Sequence, residues 1–205
     1  MGRWLEGRGY RTRLSRDAFT DVALADADIV VILAPLAERN VVVRTTENPA
    51  EDQARVFRRP IASAFSPDEI VALHAFVDRG GGLLLVSDHF PYPGALEALA
   101  AACDIELING FLADERRLPP VSGQTYRVVA EAPPRFTFLR GERTLESHPV
   151  TNGRTRAERV DSVVMSPGSA LRLPAGGQSL LVLGPTTVAL LPEGIWDCSD
   201  ATPRH

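Results

Sequence analysis

The run from Gly82 to Ser87 constrains the fold of this chain more than any other part of the sequence. Its apolar core, Leu83-Leu84-Leu85-Val86, follows three glycines that end a helix, and that helix begins at a capping box from Ser66 to Glu69. A continuous apolar run is typical of a strand buried on both faces of a parallel sheet. A similar run spans Ala27 to Ala34. Helices alternating with such strands predict an α/β fold.

The residues that follow this run are the main candidates for a functional site. Ligands of open α/β sheets bind outside the carboxyl ends of the strands, where Asp88 and His89 should lie. A partly desolvated Asp and His at this position could serve as general acid and base, with Ser87, Phe90 and Tyr92 contacting a ligand. Equally, Asp88 could cap the next turn and His89 could hydrogen-bond to the backbone.

Two other segments could contribute to the same edge. Asn109 follows a predicted third short strand, Ile105 to Ile108, although a tight Asn-Gly turn also explains it. His148 lies in a turn-rich segment, where a surface turn histidine is the more common role. Asp88, His89 and His148 would together provide a carboxylate and two imidazoles for a metal ion, but their spacing is not a diagnostic metal motif.

Composition limits the classes of function. A chain of 205 residues with 44% hydrophobic residues can bury the core of one domain, and a net charge of -4 gives no basic face for nucleic acid. Cys103 lies on an apolar helix stripe and is predicted to be core, and Cys103 with Cys198 cannot form a disulfide framework.

No apolar run reaches the roughly 18 residues of a membrane span, so we expect a soluble protein. No cofactor motif and no export signal occur, and the compartment stays open, with export as the alternative if the chain is truncated upstream.

The remaining segments predict shorter elements. A helix near Trp4 and a strand from Tyr10 to Leu14 open the chain. From Asn109 onward, turn residues separate short β-type runs, which predicts a β-rich and antiparallel or mixed C-terminal part. The predicted strands there are Tyr126 to Ala130 and Val160 to Met165. Gln178 to Leu183 and Thr187 to Leu191 predict either a hairpin or one strand with a corner.

Two motifs carry a family resemblance. The segment from Gly80 to His89, together with Ser147-His148-Pro149-Val150-Thr151-Asn152-Gly153, resembles the class I glutamine amidotransferase-like superfamily. The similarity is closer to its non-amidotransferase branch, which includes the ThuA-like proteins and related uncharacterised bacterial domains, and it covers about residues 1 to 190. It implies a single domain over 1–205 with a flavodoxin-like, mostly parallel sheet and helices on both faces.

The resemblance also implies which features of the family this chain lacks. It places the turn from Ser87 to Phe90 where amidotransferases carry their nucleophilic cysteine, and neither Cys103 nor Cys198 matches that position, so glutaminase activity does not carry over. Relatives begin with another central strand and end with a further strand and helix, which predicts truncation at both ends. Unpaired sheet edges would then favour self-association.

Three hypotheses for function follow. The leading one is a domain that binds a small polar ligand, possibly a carbohydrate, at the Asp88/His89 loop. The first alternative is a hydrolase in which Asp88 and His89, with His148, act as acid and base or as metal ligands. The second alternative is a protein-interaction module within a larger assembly.

Overall fold

A computed structural model describes residues 2–43, 55–57, 60–117, 135–166, 168–191 and 202–204. These residues form five helices and eleven strands. The helices are α1 (Gly2–Glu6), α2 (Asp21–Leu24), α3 (Pro67–Asp78), α4 (Tyr92–Ala102) and α5 (Pro149–Asn152). The strands are β1 (Ile29–Leu33), β2 (Val41–Val43), β3 (Arg55–Phe57), β4 (Gly82–Val86), β5 (Glu106–Leu107), β6 (Phe111–Asp114), β7 (Phe136–Leu139), β8 (Ser162–Met165), β9 (Leu171–Arg172), β10 (Thr187–Leu191) and β11 (Thr202–Arg204). Among these described helices, none has the length and apolar character needed to cross a bilayer.

The strands form several small sheets. β1 and β4 pair in parallel, with Ile29 opposite Gly82 and Leu33 opposite Val86. β10 lies between β6 and β11, and the pairs β2–β3, β5–β9 and β7–β8 are all antiparallel. The mixed α/β class and the β-rich C-terminal part are therefore confirmed. The prediction of a mostly parallel sheet is not confirmed, because β1–β4 is the single parallel pair in the described part of the chain.

Local signals determine where α3 begins. The Ser66 hydroxyl accepts a hydrogen bond from the backbone N–H of Glu69 at 3.3 Å, and the Glu69 carboxylate accepts one from the backbone N–H of Ser66 at 2.9 Å. This reciprocal capping box satisfies two backbone donors that a helix start otherwise leaves unpaired. The inner face of the helix carries Leu73 and Phe76, both fully buried. The predicted helix and its apolar stripe are confirmed.

Helices cover only one face of the parallel pair. Val30 and Ile32 of β1 pack against a cluster that includes Leu73 of α3 and Leu96 and Leu99 of α4. The side chains on the opposite face are 39% to 57% exposed: Ile29, Val31, Leu33, Leu84 and Val86. The prediction that both strands are buried on both faces is thus wrong, because no described helix lies on that second face. A continuous apolar run shows that both faces of a strand can be buried. It does not show that another element covers the second face.

A second core joins the antiparallel sheet to the chain that follows β4. Phe111 and Ala113 of β6 pack with Val188 and Leu190 of β10, and the ring of Phe90 is fully buried among them. The backbone N–H of Phe90 also donates to the carbonyl of Gly110 at 3.0 Å. The turn after β4 is therefore held between two cores.

Three predicted strands differ from the structure. Residues 10 to 14 form no strand, and Tyr10 and Leu14 are 55% and 86% exposed. No described strand pairs with this segment. The third predicted strand is β5, which pairs antiparallel with β9 rather than extending the parallel pair, with Glu106 opposite Arg172. Residues 178 to 183 form no strand with β10, which pairs instead with β6 and β11. The predicted strand at 126–130 lies outside the described residues.

An ion pair at the end of β6 predicts a pH dependence of stability. The Arg116 guanidinium donates to both carboxylate oxygens of Asp114, at 2.9 and 2.6 Å, and holds the pKa of Asp114 well below its usual range. A carboxyl whose pKa is lower in the folded than in the unfolded chain stabilises the fold above the unfolded value, and this contribution is lost as pH falls through the folded value.

The Asp114→Asn variant should therefore be less stable than the parent at neutral pH. The difference should shrink as the pH falls below the ordinary Asp value of about 3.9. Urea unfolding between neutral pH and pH 2 measures this. Asp26→Asn is the control, since Asp26 is exposed and makes no ion pair with the described residues. A difference from the parent that stays constant with pH would contradict the assignment.

Candidate functional site

The turn after β4 lies where the sequence predicted it. β4 ends at Val86, α4 begins at Tyr92, and the residues between them lie at the carboxyl edge of the parallel pair. The end of β1 is adjacent, because the N–H of Ala34 donates to the carbonyl of Val86 at 2.7 Å. This is the position at which open α/β sheets place ligand-contacting loops.

Asp88 and His89 are ordered by short local hydrogen bonds. One carboxylate oxygen of Asp88 accepts from the backbone N–H of His89 at 2.8 Å, and the side chain of Asp88 is exposed. The ring nitrogen Nδ1 of His89 lies 2.7 Å from the carbonyl of Phe90. Because a carbonyl only accepts, Nδ1 acts as the donor in this contact, and in the tautomer with its proton on Nδ1 the other nitrogen, Nε2, is an acceptor.

The imidazole of His89 also packs against an aromatic ring. Its ring lies on the ring of Phe111, with 4.6 Å between the centroids and 30° between the planes. Phe111 is itself a buried residue of the second core. A half-buried imidazole held by a hydrogen bond and a ring contact presents Nε2 in a defined direction.

Asn109 adds a buried amide beside this turn. A Cβ on Gly94 would lie 2.3 Å from Nδ2 of Asn109, so the amide packs directly against the first turn of α4, where only glycine leaves room. Within the described part of the chain, Oδ1 of Asn109 is buried and has no hydrogen-bond partner. A buried acceptor without a partner is costly unless another group satisfies it. Asn109 also lines a cavity of about 460 Å³ together with Glu97 and Glu106.

The flanking residues have different roles. The half-buried Ser87 hydroxyl donates to the carbonyl of Asp88 at 3.3 Å, and Tyr92 is the half-buried first residue of α4. Phe90 is fully buried in the second core. This placement makes Phe90 a packing residue and does not support its predicted contact with a ligand.

His148 caps a helix. Its Nδ1 accepts from the backbone N–H of Val150 at 3.2 Å, and its own N–H donates to the hydroxyl of Thr151 at 3.1 Å, which forms a capping box for α5. No group of three His, Cys, Asp or Glu side chains within the described ranges could hold a metal ion, and Asp88, His89 and His148 all lie in those ranges. The structure does not bring these three residues together as a metal site.

Cys103 has no features of a nucleophile. It follows the last residue of α4, at the end of the helix opposite the Asp88/His89 turn. Burial raises the pKa of its thiol, and the charges of Asp78 and Asp104 raise it further. A protonated thiol is a poor nucleophile. Cys103 is half-buried and belongs to neither core cluster, so its predicted place in the core is not confirmed. Cys198 lies outside the described residues.

A second cavity, of about 420 Å³, was not found by sequence reasoning. Its lining includes three arginines, Arg140, Arg143 and Arg159, with Glu146, Ser147 and Asn152. The sequence signal was the density of arginine between residues 140 and 159. Their spacing matches no helix or strand period, so the sequence does not show that three of them share one cavity.

Comparison of the chain with protein-family models, with curated proteins and with solved structures finds no match. The resemblance to the class I glutamine amidotransferase-like superfamily therefore stays a prediction.

Proposed function

We propose that this chain is a non-catalytic binding domain of the class I glutamine amidotransferase-like superfamily, with a flavodoxin-like architecture. In this proposal it holds a small polar ligand, such as a carbohydrate, at the Asp88/His89 loop. The location of the loop at the carboxyl edge of the parallel pair supports the ligand site. The absence of a cysteine from the turn between Ser87 and Phe90 supports binding without glutaminase chemistry.

The observation that carries the proposal is the 2.7 Å contact between Nδ1 of His89 and the carbonyl of Phe90. It leaves Nε2 as an acceptor in the same turn as the exposed carboxylate of Asp88, one oxygen of which is not used by the backbone of His89. Two acceptors in one turn suit a ligand that donates hydrogen bonds, and the hydroxyl groups of a sugar are such donors. Hydrogen bonds to a charged acceptor are among the stronger ones in water.

Binding accounts for this arrangement better than hydrolysis. General acid and base groups have to converge on a substrate from separate positions, whereas Asp88 and His89 are neighbours in one turn. The third group of the hydrolase hypothesis, His148, uses Nδ1 to cap α5. The proposal therefore assigns Asp88 and His89 to recognition.

Calorimetric titration of the full chain with glucose, sucrose and citrate tests the proposal. The Asp88→Asn/His89→Gln double variant should bind the best of these at least about tenfold more weakly, because two hydrogen bonds to the ligand are lost. The matched control is His74→Gln/Asp78→Asn, which removes another Asp and His pair, in contact at 3.1 Å and largely exposed on α3. The control should bind like the parent.

Two outcomes would count against the proposal. If the double variant at the loop keeps the affinity of the parent, the site lies elsewhere. If both double variants weaken binding equally, the effect is one of charge or stability and not of contact. Circular dichroism spectra of all three proteins check that each is folded.

A further inference from the structure

We propose that the cavity lined by Arg140, Arg143 and Arg159 is a second binding site, which takes a small oxyanion that also carries hydroxyl groups. The site is separate from the Asp88/His89 loop and does not rest on the function proposed for it. All residues that line this cavity lie between 135 and 166, within the described part of the chain.

Arg140 provides a rigid pair of donors. Its side chain is only 16% exposed, and its Nη2 donates to the carbonyls of Thr151 and Val160, both at 2.9 Å. Its Nε donates to the carbonyl of Val160 at 3.3 Å. Nη1 takes part in none of these bonds and has no partner among the described residues, so its two N–H groups remain for a ligand. A guanidinium anchored in this way is ordered before the ligand arrives.

The other two arginines leave still more donors unused. Nε of Arg159 lies 2.8 Å from a carboxylate oxygen of Asp161, which leaves both terminal nitrogens of Arg159 free of described partners. Arg143 makes no ion pair and no side-chain hydrogen bond within the described ranges, and it is exposed. The cavity therefore has far more N–H donors than the protein itself satisfies.

Charge points to the same class of ligand. Three guanidinium groups line the cavity against one carboxylate, that of Glu146. Outside the lining, one carboxylate oxygen of Asp161 lies 2.8 Å from Nε of Arg159 and 3.6 Å from Nε of Arg140, so the three positive charges face two negative ones. A positive site on a chain with a net charge of -4 attracts anions locally. The fork of N–H groups on each guanidinium matches the paired oxygens of a phosphate or a carboxylate.

The other polar groups of the lining indicate which further groups the ligand carries. Glu146 repels an anion placed beside it but accepts hydrogen bonds from hydroxyl groups. Ser147 and Asn152, which are joined by a 3.1 Å hydrogen bond, add further polar atoms. A cavity of about 420 Å³ has room for a molecule with an oxyanion at one end and hydroxyls at the other.

Calorimetric titration of the full chain with inorganic phosphate, malonate and glycerol 3-phosphate, at constant ionic strength, tests this assignment. We expect glycerol 3-phosphate to bind more tightly than phosphate, and the malonate arm distinguishes a phosphate site from a carboxylate site. Arg143→Gln should weaken binding about tenfold, since a charge-assisted hydrogen-bonded pair is lost. Glu146→Gln should strengthen phosphate binding and reduce the advantage of glycerol 3-phosphate.

Arg156→Gln is the matched control. Arg156 is exposed, lies in the same segment and does not line the cavity, so its removal changes the net charge equally. The proposal is overturned if none of the three anions binds, if Arg143→Gln and Arg159→Gln both leave binding unchanged, or if Arg156→Gln weakens it as much as they do. The Asp88→Asn/His89→Gln variant should keep its phosphate affinity, which separates this site from the loop.

Discussion

We expect the Phe90→Ala variant to lose about 3–5 kcal/mol of the free energy of unfolding, as large-to-small substitutions of fully buried aromatic residues do. The ring of Phe90 is 0% exposed and packs with Phe111, Ala113, Val188 and Leu190. Alanine would leave a cavity inside the second core and release the turn that carries His89. Urea unfolding, followed by circular dichroism, gives the free energy directly.

Tyr10→Ala is the control for this substitution. Tyr10 is an aromatic residue of similar size that is 55% exposed and belongs to neither core cluster. Its truncation should cost much less, within the range of about 0.5 kcal/mol typical of surface positions. A loss for Phe90→Ala no larger than that for Tyr10→Ala would show that the ring does not hold the turn against the antiparallel sheet.

We expect the second-largest effect from Gly110→Ala, with a loss of about 1–3 kcal/mol, the range found for overpacked sites. A Cβ at Gly110 would lie 2.5 Å from the backbone carbonyl oxygen of Leu190 and 2.7 Å from Cδ2 of Leu191. A backbone oxygen cannot rotate away as a side chain can, so β6 and β10 would have to separate. Thermal unfolding should show a clear decrease in Tm.

Gly141→Ala is the matched control, because a Cβ at Gly141 would meet nothing within 4 Å. The same chemical change should there leave Tm nearly unchanged or slightly raised, since alanine reduces the freedom of the unfolded chain. Equal melting temperatures for the two variants would contradict the close approach of β6 and β10 at Gly110.

The parts of the fold that could be predicted depend on signals local to the chain. Helix α3 was predicted at the right place because Ser66 and Glu69 cap it and its apolar residues follow the helical period. Strands β1 and β4 were predicted from apolar runs, but their exposed face was not. How many layers cover a sheet depends on segments far away in sequence, and the composition of the strand itself does not show it.

The same distinction applies to the sites. That Asp88 and His89 follow a strand could be inferred from the sequence, and so could the position of His148 in a turn. The capping contact of His148 with Val150 was not predicted. The proton position on His89 depends on its distance to the carbonyl of Phe90, which only the structure provides. The arginine cavity depends on the hydrogen bonds of the Arg140 side chain to the carbonyls of Thr151 and Val160. The helix and strand periods of the sequence do not predict these contacts.

The pairing of β1 with β4 has a consequence for the order of folding during synthesis. Ile29 finds its partner only at Gly82, so β1 leaves the ribosome long before the strand that pairs with it exists. α3, β4 and α4 are consecutive in the chain and can assemble soon after they are made. Pairings between residues distant in sequence form slowly. The nascent apolar segment around β1 therefore stays unpaired while the chain up to β4 is made, and it is a segment that a chaperone can protect during translation.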